Sequence, residues 1–238
     1  MRKLNIGFNN PKLAFLQKDI RQGGIFYGWD FSFTYGVFRN SIQIAASLLQ
    51  SPLFDISRPN YLNFGGMGSS IGHEITHSFD ELGKLINKFG NIENWWDRET
   101  VTNYDLRKKC MINQYSSFYS NATRLNIKGE QTLSENIADN GGLKLTQRAY
   151  KEWVQFHGEE DGLPGLNYAP SQLFWIAAAQ IWCAVHRLDS LRYHITKGFH
   201  SPPEFRLKGS FANNEEFAKD FMCELGTKMN PVDKCSIW

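Results

Sequence analysis

The sequence predicts an α+β protein, mostly α, with a small sheet near its N-terminal end. Three observations carry that prediction. Apolar residues at helical spacing recur from about residue 66 onward, and partial alternation of aromatic and β-branched residues is confined to 29–46. The 238 residues, 42% hydrophobic and 14% aromatic, are enough to bury a sizeable core, as one domain.

The elements follow in order. "WDFSFTYGVFRNSIQIAA" (29–46) reads as two strands joined near Arg39-Asn40. The region of Pro52, Pro59 and Asn60 reads as a loop. From about 66 to 82 the pattern is helical, with an apolar stripe of Ile71, Ile75, Phe79 and Leu82 and a second stripe of His73, His77 and Asp80. "KFGN" (88–91) is a turn by its Gly and Asn. Three longer helices are expected at roughly 97–120, 132–156 and 170–187, the second introduced by Thr132 or Ser134 as a cap. "HGEEDGLPGLNYAPS" between the last two reads as a loop. A short helix over 214–224 is marked by Phe217, Phe221 and Leu225, which recur every four residues. No internal repeat, low-complexity tract or domain linker is visible.

Charge and hydropathy exclude several function classes. A net charge of +2, from 26 basic and 24 acidic residues spread along the chain, gives no electrostatic reason to expect nucleic acid or anionic lipid. The longest nearly apolar run, "LFWIAAAQIWCAV" (173–185), is broken by Gln180 and shorter than the ~20 residues a bilayer crossing needs. The opening residues have a basic start but lack the apolar run of about 7–15 residues of a signal peptide. Cys110, Cys183, Cys223 and Cys235 show no zinc-ribbon spacing, which leaves two disulfides or four thiols open. With the glycosylation sequon Asn121-Ala122-Thr123, the cysteines lean toward an extracellular setting, against the missing signal. The expectation is an incomplete or shortened chain.

Chemistry concentrates in "GSSIGHEITHSFDE" (68–81). On a helix, His73 and His77 lie one above the other and can offer two imidazole nitrogens to one ion. Glu74 points aside from that axis, as suits a general base. A tetrahedral site needs a third protein ligand, and "SENIADNGG" (134–142), starting 57 residues after His77, offers one. Glu135 and Asp139 are four apart, so a second helix presents two carboxylates on one face, one to complete a His₂Glu site and one to hold an imidazole N–H. Taken alone, two acidic residues near a helix start are a solvated face. Gly141 and Gly142 argue otherwise, because each costs a helix roughly 1 kcal/mol relative to alanine and their presence suggests close approach to another backbone.

These stretches, with "GGMGSSIGHEITHSFDELGK", "NWWD", "LSENIADNGGL", "LPGL", "QLFWIAAAQIWC", "FHSPPEFRLKGSF" and "MNPVDKCSIW", resemble the C-terminal catalytic region of the neprilysin and endothelin-converting-enzyme family of zinc metallopeptidases. The resemblance spans about 39–238 and several motifs occur in family order. It implies a thermolysin-like (gluzincin) catalytic lobe with an HExxH active-site helix and one Zn²⁺ per chain. By position, His73, His77 and Glu135 match the zinc ligands, Glu74 the catalytic base, and Asp139 the carboxylate that orients a zinc histidine. His200 matches the transition-state stabiliser and Arg206 the arginine that grips substrate. His157, His186 and His194 have no such match. The implied activity is zinc-dependent endopeptidase cleavage of small peptides on the amino side of hydrophobic residues, in an extracellular or cell-surface setting.

The same resemblance exposes departures. The family's Asn-Ala pair on the edge strand falls here at Ser32-Phe33, so Ser32 can offer the substrate only one of those contacts. Residues 1–38 are expected to be a divergent N-terminal segment contributing the edge strand, and 39–238 the peptidase domain. The family's enclosing N-terminal lobe, anchor and leader are expected to be missing from this stretch of sequence. In the family pattern the cysteines matching Cys110 and Cys235 pair with each other, while those matching Cys183 and Cys223 pair with the N-terminal region. The alternative reading is a catalytically impaired, truncated homologue that acts as a peptide-binding or decoy protein. A purely structural zinc module is disfavoured, since such sites are Cys-rich and closed.

Overall fold

The computed structural model describes residues 32–238, so the part of the expected first strand at 29–31 lies outside the described residues. Residues Phe33–Trp238 form a compact unit. It opens with an antiparallel hairpin, β1 (Phe33–Gly36) and β2 (Ser41–Ile44), in the register Phe33 to Ile44 and Gly36 to Ser41. Asn40 turns the chain at φ 44°, a left-handed position that Asn tolerates.

A short helix α1 (Asn60–Asn63) follows, where sequence reading expects a loop. Its start is held from a distance: the Glu160 carboxylate accepts from the Asn60 N–H at 2.8 Å and the Tyr61 N–H at 3.2 Å, a cap that local sequence does not reveal. One π-helical turn (Phe64–Gly68) leads directly into α2 (Ser69–Thr76), which tightens into a 3₁₀ turn at His77–Phe79. The long helices are α3 (Arg98–Ser117), capped by Asp97 accepting from the Thr100 N–H at 2.7 Å, and α4 (Leu133–His157). Between them sits a minimal hairpin, β3 (Tyr119–Ser120) and β4 (Leu125–Asn126). Helices α5 (Pro170–Gln180), α6 (Leu188–Lys197), α7 (Pro203–Ala212) and α8 (Glu215–Asp220) complete the unit.

Three differences from the sequence reading have physical causes. Helix α5 ends at Gln180 and not near 187, because Ile181 and Trp182 leave the helix and Trp182 lies against Arg206, 4.0 Å from ring centroid to guanidinium. Helix α7, absent from the reading, begins with Pro203 at its first position, where a missing N–H costs nothing. Thr132 occupies the cap position of α4 without capping it, since its hydroxyl donates to the Lys128 carbonyl at 3.1 Å.

Helix α4 is the spine. One side buries Leu143 and Tyr150 with Tyr61, Leu173, Phe174, Trp175 and Phe211. Its first turns bury Leu133 and Ile137 with Tyr104, Met111 and Tyr115. Cys110 and Cys235 are joined in a disulfide, which ties α3 to the C-terminal segment across 125 residues; among the described residues Cys183 and Cys223 are free. No described helix is long and apolar enough to cross a membrane.

Helices α2 and α4 meet backbone to backbone. A Cβ on Gly142 would lie 2.3 Å from the His73 nitrogen, and one on Gly72 would lie 2.4 Å from the Gly142 carbonyl oxygen. The apolar stripe read over 66–82 is not the packed face: Ile71 is half-buried and Ile75, Phe79 and Leu82 are exposed, while Gly72 and Thr76 are buried. Gly142→Ala is therefore expected to force the helices apart and destabilise the chain by about 1–3 kcal/mol. An unchanged denaturant midpoint would show that the contact has slack.

Candidate active site

His73 and His77 project from the last turn of α2 and the 3₁₀ turn after it, rings edge to face at 4.6 Å. Their Nε2 atoms are 3.0 Å apart. Each Nδ1 is occupied: His73 Nδ1 lies 2.9 Å from Asp139 Oδ1, and His77 Nδ1 lies 2.8 Å from Asp80 Oδ2. Asp80 is in turn fixed by the N–H groups of Leu82 and Gly83, which donate to its Oδ1 at 2.9 and 2.8 Å. Carboxylates at Nδ1 place the ring protons there and turn both Nε2 lone pairs toward the same point.

Glu135, in the first turn of α4, faces that point from across the helix contact. Its Oε2 is 3.1 Å from His73 Nε2 and its Oε1 3.7 Å from His77 Nε2. Oε2 is buried, with His73 Nε2 at 3.1 Å and His200 Nε2 at 3.0 Å, at ion-pair distance but without a hydrogen bond of good geometry. Donors of a tetrahedral zinc with bonds of about 2.0–2.2 Å sit about 3.3–3.6 Å apart; the separations here, 3.0, 3.1 and 3.7 Å, bracket that span, so side-chain shifts of a few tenths of an ångström fit the set to the ion. Among the described residues, donor atoms of His73, Glu74 and His77 also lie within 4.8 Å of one another.

The electrostatics match the geometry. Burial opposes charge on His73, yet the hydrogen bond to Asp139 and the close carboxylates of Glu135 and Asp139 outweigh it and raise the ring to about 9. Burial also works against ionisation of Glu135, but His200 and His73 hold its carboxyl well below the usual range. Glu74, 7% exposed, is raised by burial, only partly offset by the neighbouring histidines and by the Tyr35 backbone N–H of β1.

Arg206 is sequestered. Its Nε and Nη2 donate to Asp139 Oδ2 and Oδ1, both at 2.7 Å, and its side chain is 8% exposed. Its pKa rises because Asp139 outweighs the burial that opposes its charge. His200, about half exposed, brings Nε2 to 3.0 Å from Glu135 Oε2. The cleft, of about 470 Å³, is lined by β1 residues Phe33 to Tyr35 as well as by His73, Glu135 and His200. Ser32 is exposed and precedes the compact unit. His157 stacks on Trp153, and His186 and His194 pair with each other outside this group. Sequence reading places Asp80 on the histidine stripe without assigning it a task; its spacing three residues after His77 is the signal that finds it.

The family model for peptidase family M13 matches residues 33–237. Neprilysin-2 of Drosophila melanogaster is 50% identical over 204 residues, 86% of this chain and 26% of that protein. Endothelin-converting enzyme 1 of Rattus norvegicus is 43% identical over 204 residues, with 86% of this chain and 26% of that protein covered. Among solved structures, a chain of the Haemonchus galactose containing glycoprotein complex superposes with a TM-score of 0.84 at 32% identity, covering 95% of this chain and 39% of that one. Mycobacterium tuberculosis zinc metalloprotease Zmp1 in complex with inhibitor gives a TM-score of 0.78 at 30% identity, covering 86% and 31%. The chain thus spans about a quarter of the length of the curated relatives it matches. The helical thermolysin-like fold, the small sheet and the match across nearly all of the described residues lead to one assignment: this chain belongs to peptidase family M13.

Proposed function

We propose that this chain supplies the metal-holding and reacting groups of a zinc endopeptidase that hydrolyses small peptides, on the amino side of hydrophobic residues. The observation that carries the reading is the pair of Nε2 atoms 3.0 Å apart, backed by two carboxylates and faced by the buried Glu135 oxygen. One zinc per chain would be held by His73, His77 and Glu135, with Asp139 and Asp80 orienting the imidazoles. Zinc bound there supplies Lewis acidity, polarising a carbonyl and acidifying a water.

The rest is done by side chains. Glu74, its pKa raised by burial against the pull of His73 and His77, takes a proton from the attacking water and delivers it to the departing amine. His200, half exposed at the cleft, donates to the oxyanion that develops on the scissile carbonyl. The edge of β1 lines the cleft and is the surface on which an extended peptide lies. An extracellular or cell-surface setting is supported by the Cys110–Cys235 disulfide, which persists under oxidising conditions.

Arg206 has a structural task as well. With two of its nitrogens committed to Asp139, it acts first by compensating a buried carboxylate and only through its remaining edge on substrate.

The reading is tested with a fluorogenic peptide, with and without a chelator. Turnover lost on chelation and restored by zinc is expected; stoichiometric zinc without turnover would favour the peptide-binding alternative. Glu74→Gln is expected to keep zinc and lose hydrolysis, and an active variant would remove Glu74 from its role. Asp80→Asn is expected to weaken zinc binding about 10–100-fold in a competition titration, an effect that a surface carboxylate would not produce. Arg206→Ala is expected to destabilise the metal-free chain by about 3–5 kcal/mol, because the buried Asp139 loses both guanidinium hydrogen bonds and keeps only His73 as a partner. A change in KM alone, with the denaturant midpoint intact, would return Arg206 to a purely substrate-binding role.

A further inference from the structure

The segment that carries His200 joins α6 to α7 without regular structure, and its neighbour Ser201 is nevertheless fully buried, at 0% exposure. The Ser201 hydroxyl donates to Asn136 Oδ1 at 2.9 Å and lies 3.2 Å from Thr132 Oγ1. Asn136, also 0% exposed, donates through Nδ2 to Thr132 Oγ1 at 2.9 Å. One residue earlier, Gln131 Nε2 donates to the Gly198 carbonyl at 2.6 Å. Four polar side chains from both segments thus clamp 198–201 onto the residues that open α4, where Glu135 also sits.

Buried hydroxyls and amides cost free energy unless they are fully paired, and apolar residues of the same size would fill this space more cheaply. What the polar version adds is direction. It joins positions 65 residues apart in the sequence, and each end is adjacent to a site residue: Asn136 follows Glu135, and Ser201 follows His200. His200 has an exposed ring whose polar partner is Glu135 Oε2 at 3.0 Å, so its aim depends on where its backbone is pinned.

We infer that Ser201, acting through Asn136 and Thr132, is a positioning residue for His200, holding that ring in register with Glu135. The inference rests on the peptidase reading for the role of His200, but the clamp itself is measurable without metal or substrate.

The experiment compares the chain with Ser201→Ala and Thr132→Val. In the metal-free protein, amide exchange over 198–202 is expected to quicken about tenfold in both variants while α4 stays protected. In the zinc-loaded protein, kcat is expected to fall about 10–100-fold with KM within about twofold and zinc still stoichiometric. Adding Ser201→Ala to a His200→Phe chain is expected to cost almost nothing further, since the residue acts through His200. Unchanged exchange over 198–202, loss of protection across α4, or an undiminished penalty in the His200→Phe background would each overturn the assignment. A parent chain that hydrolyses no peptide would count against the peptidase reading alone, with the exchange result still deciding the clamp.

Discussion

Everything at the site depends on the backbone contact between Gly72 and Gly142. Two helices with ordinary side chains at their crossing pack about 8–10 Å apart. Here a Cβ on Gly142 would already sit 2.3 Å from the His73 nitrogen, so the helices touch main chain to main chain. That closeness lets side chains as short as Glu135 and Asp139 reach both nitrogens of His73, at 3.1 and 2.9 Å. Gly141 extends the same seam, with Thr76 filling the space a side chain would take. A larger residue at either glycine would leave each functional side chain in place on its own helix and still separate the donors.

The second constraint is charge. Glu74, Glu135, Asp139 and Asp80 bring four carboxylates around two histidines, and Arg206 is the buried cation that answers them. Carboxylates so placed repel unless protons or cations share the space. Arg206 compensates Asp139 through two 2.7 Å hydrogen bonds. At His73 the pull of Asp139 and Glu135 against burial raises the ring to about 9, so at neutral pH a metal ion bound as proposed would compete with a proton for Nε2, Nδ1 being held by Asp139. The same carboxylates that would strengthen an imidazole as a ligand also strengthen its hold on that proton.

Much of this was legible in the sequence where information is local. Helix α4, expected over 132–156, spans Leu133–His157, and α3, expected over 97–120, spans Arg98–Ser117. The close approach expected from Gly141 and Gly142 is the observed contact. What periodicity misjudged was the stretch around α2: of the stripe Ile71, Ile75, Phe79 and Leu82 only Ile71 is partly covered, while the helix meets α4 through its small residues Gly72 and Thr76. Through-space partners left no trace. Glu160 caps α1 from 100 residues away, and Ser201 meets Asn136 across 65, distances over which a single sequence carries no register. Arg206 illustrates a subtler limit, because its position in a motif shows that it matters but not that its guanidinium is spent on Asp139.

The nine residues "SENIADNGG" become intelligible once laid on a helix. Glu135, Asp139 and Gly142 fall at i, i+4 and i+7, one stripe that faces α2 and presents in turn a carboxylate to the imidazoles, a carboxylate to His73 Nδ1 and bare backbone to Gly72. Asn136 is about 100° around the helix from Glu135, so it looks away from α2 and toward Ser201. One rigid rod therefore fixes the carboxylate opposite the histidines on one side and the segment bearing His200 on the other. Because both are set by the same few turns of α4, their spacing is insensitive to movement elsewhere in the chain, which is what the proposed hydrolysis, with its groups placed to within fractions of an ångström, would require.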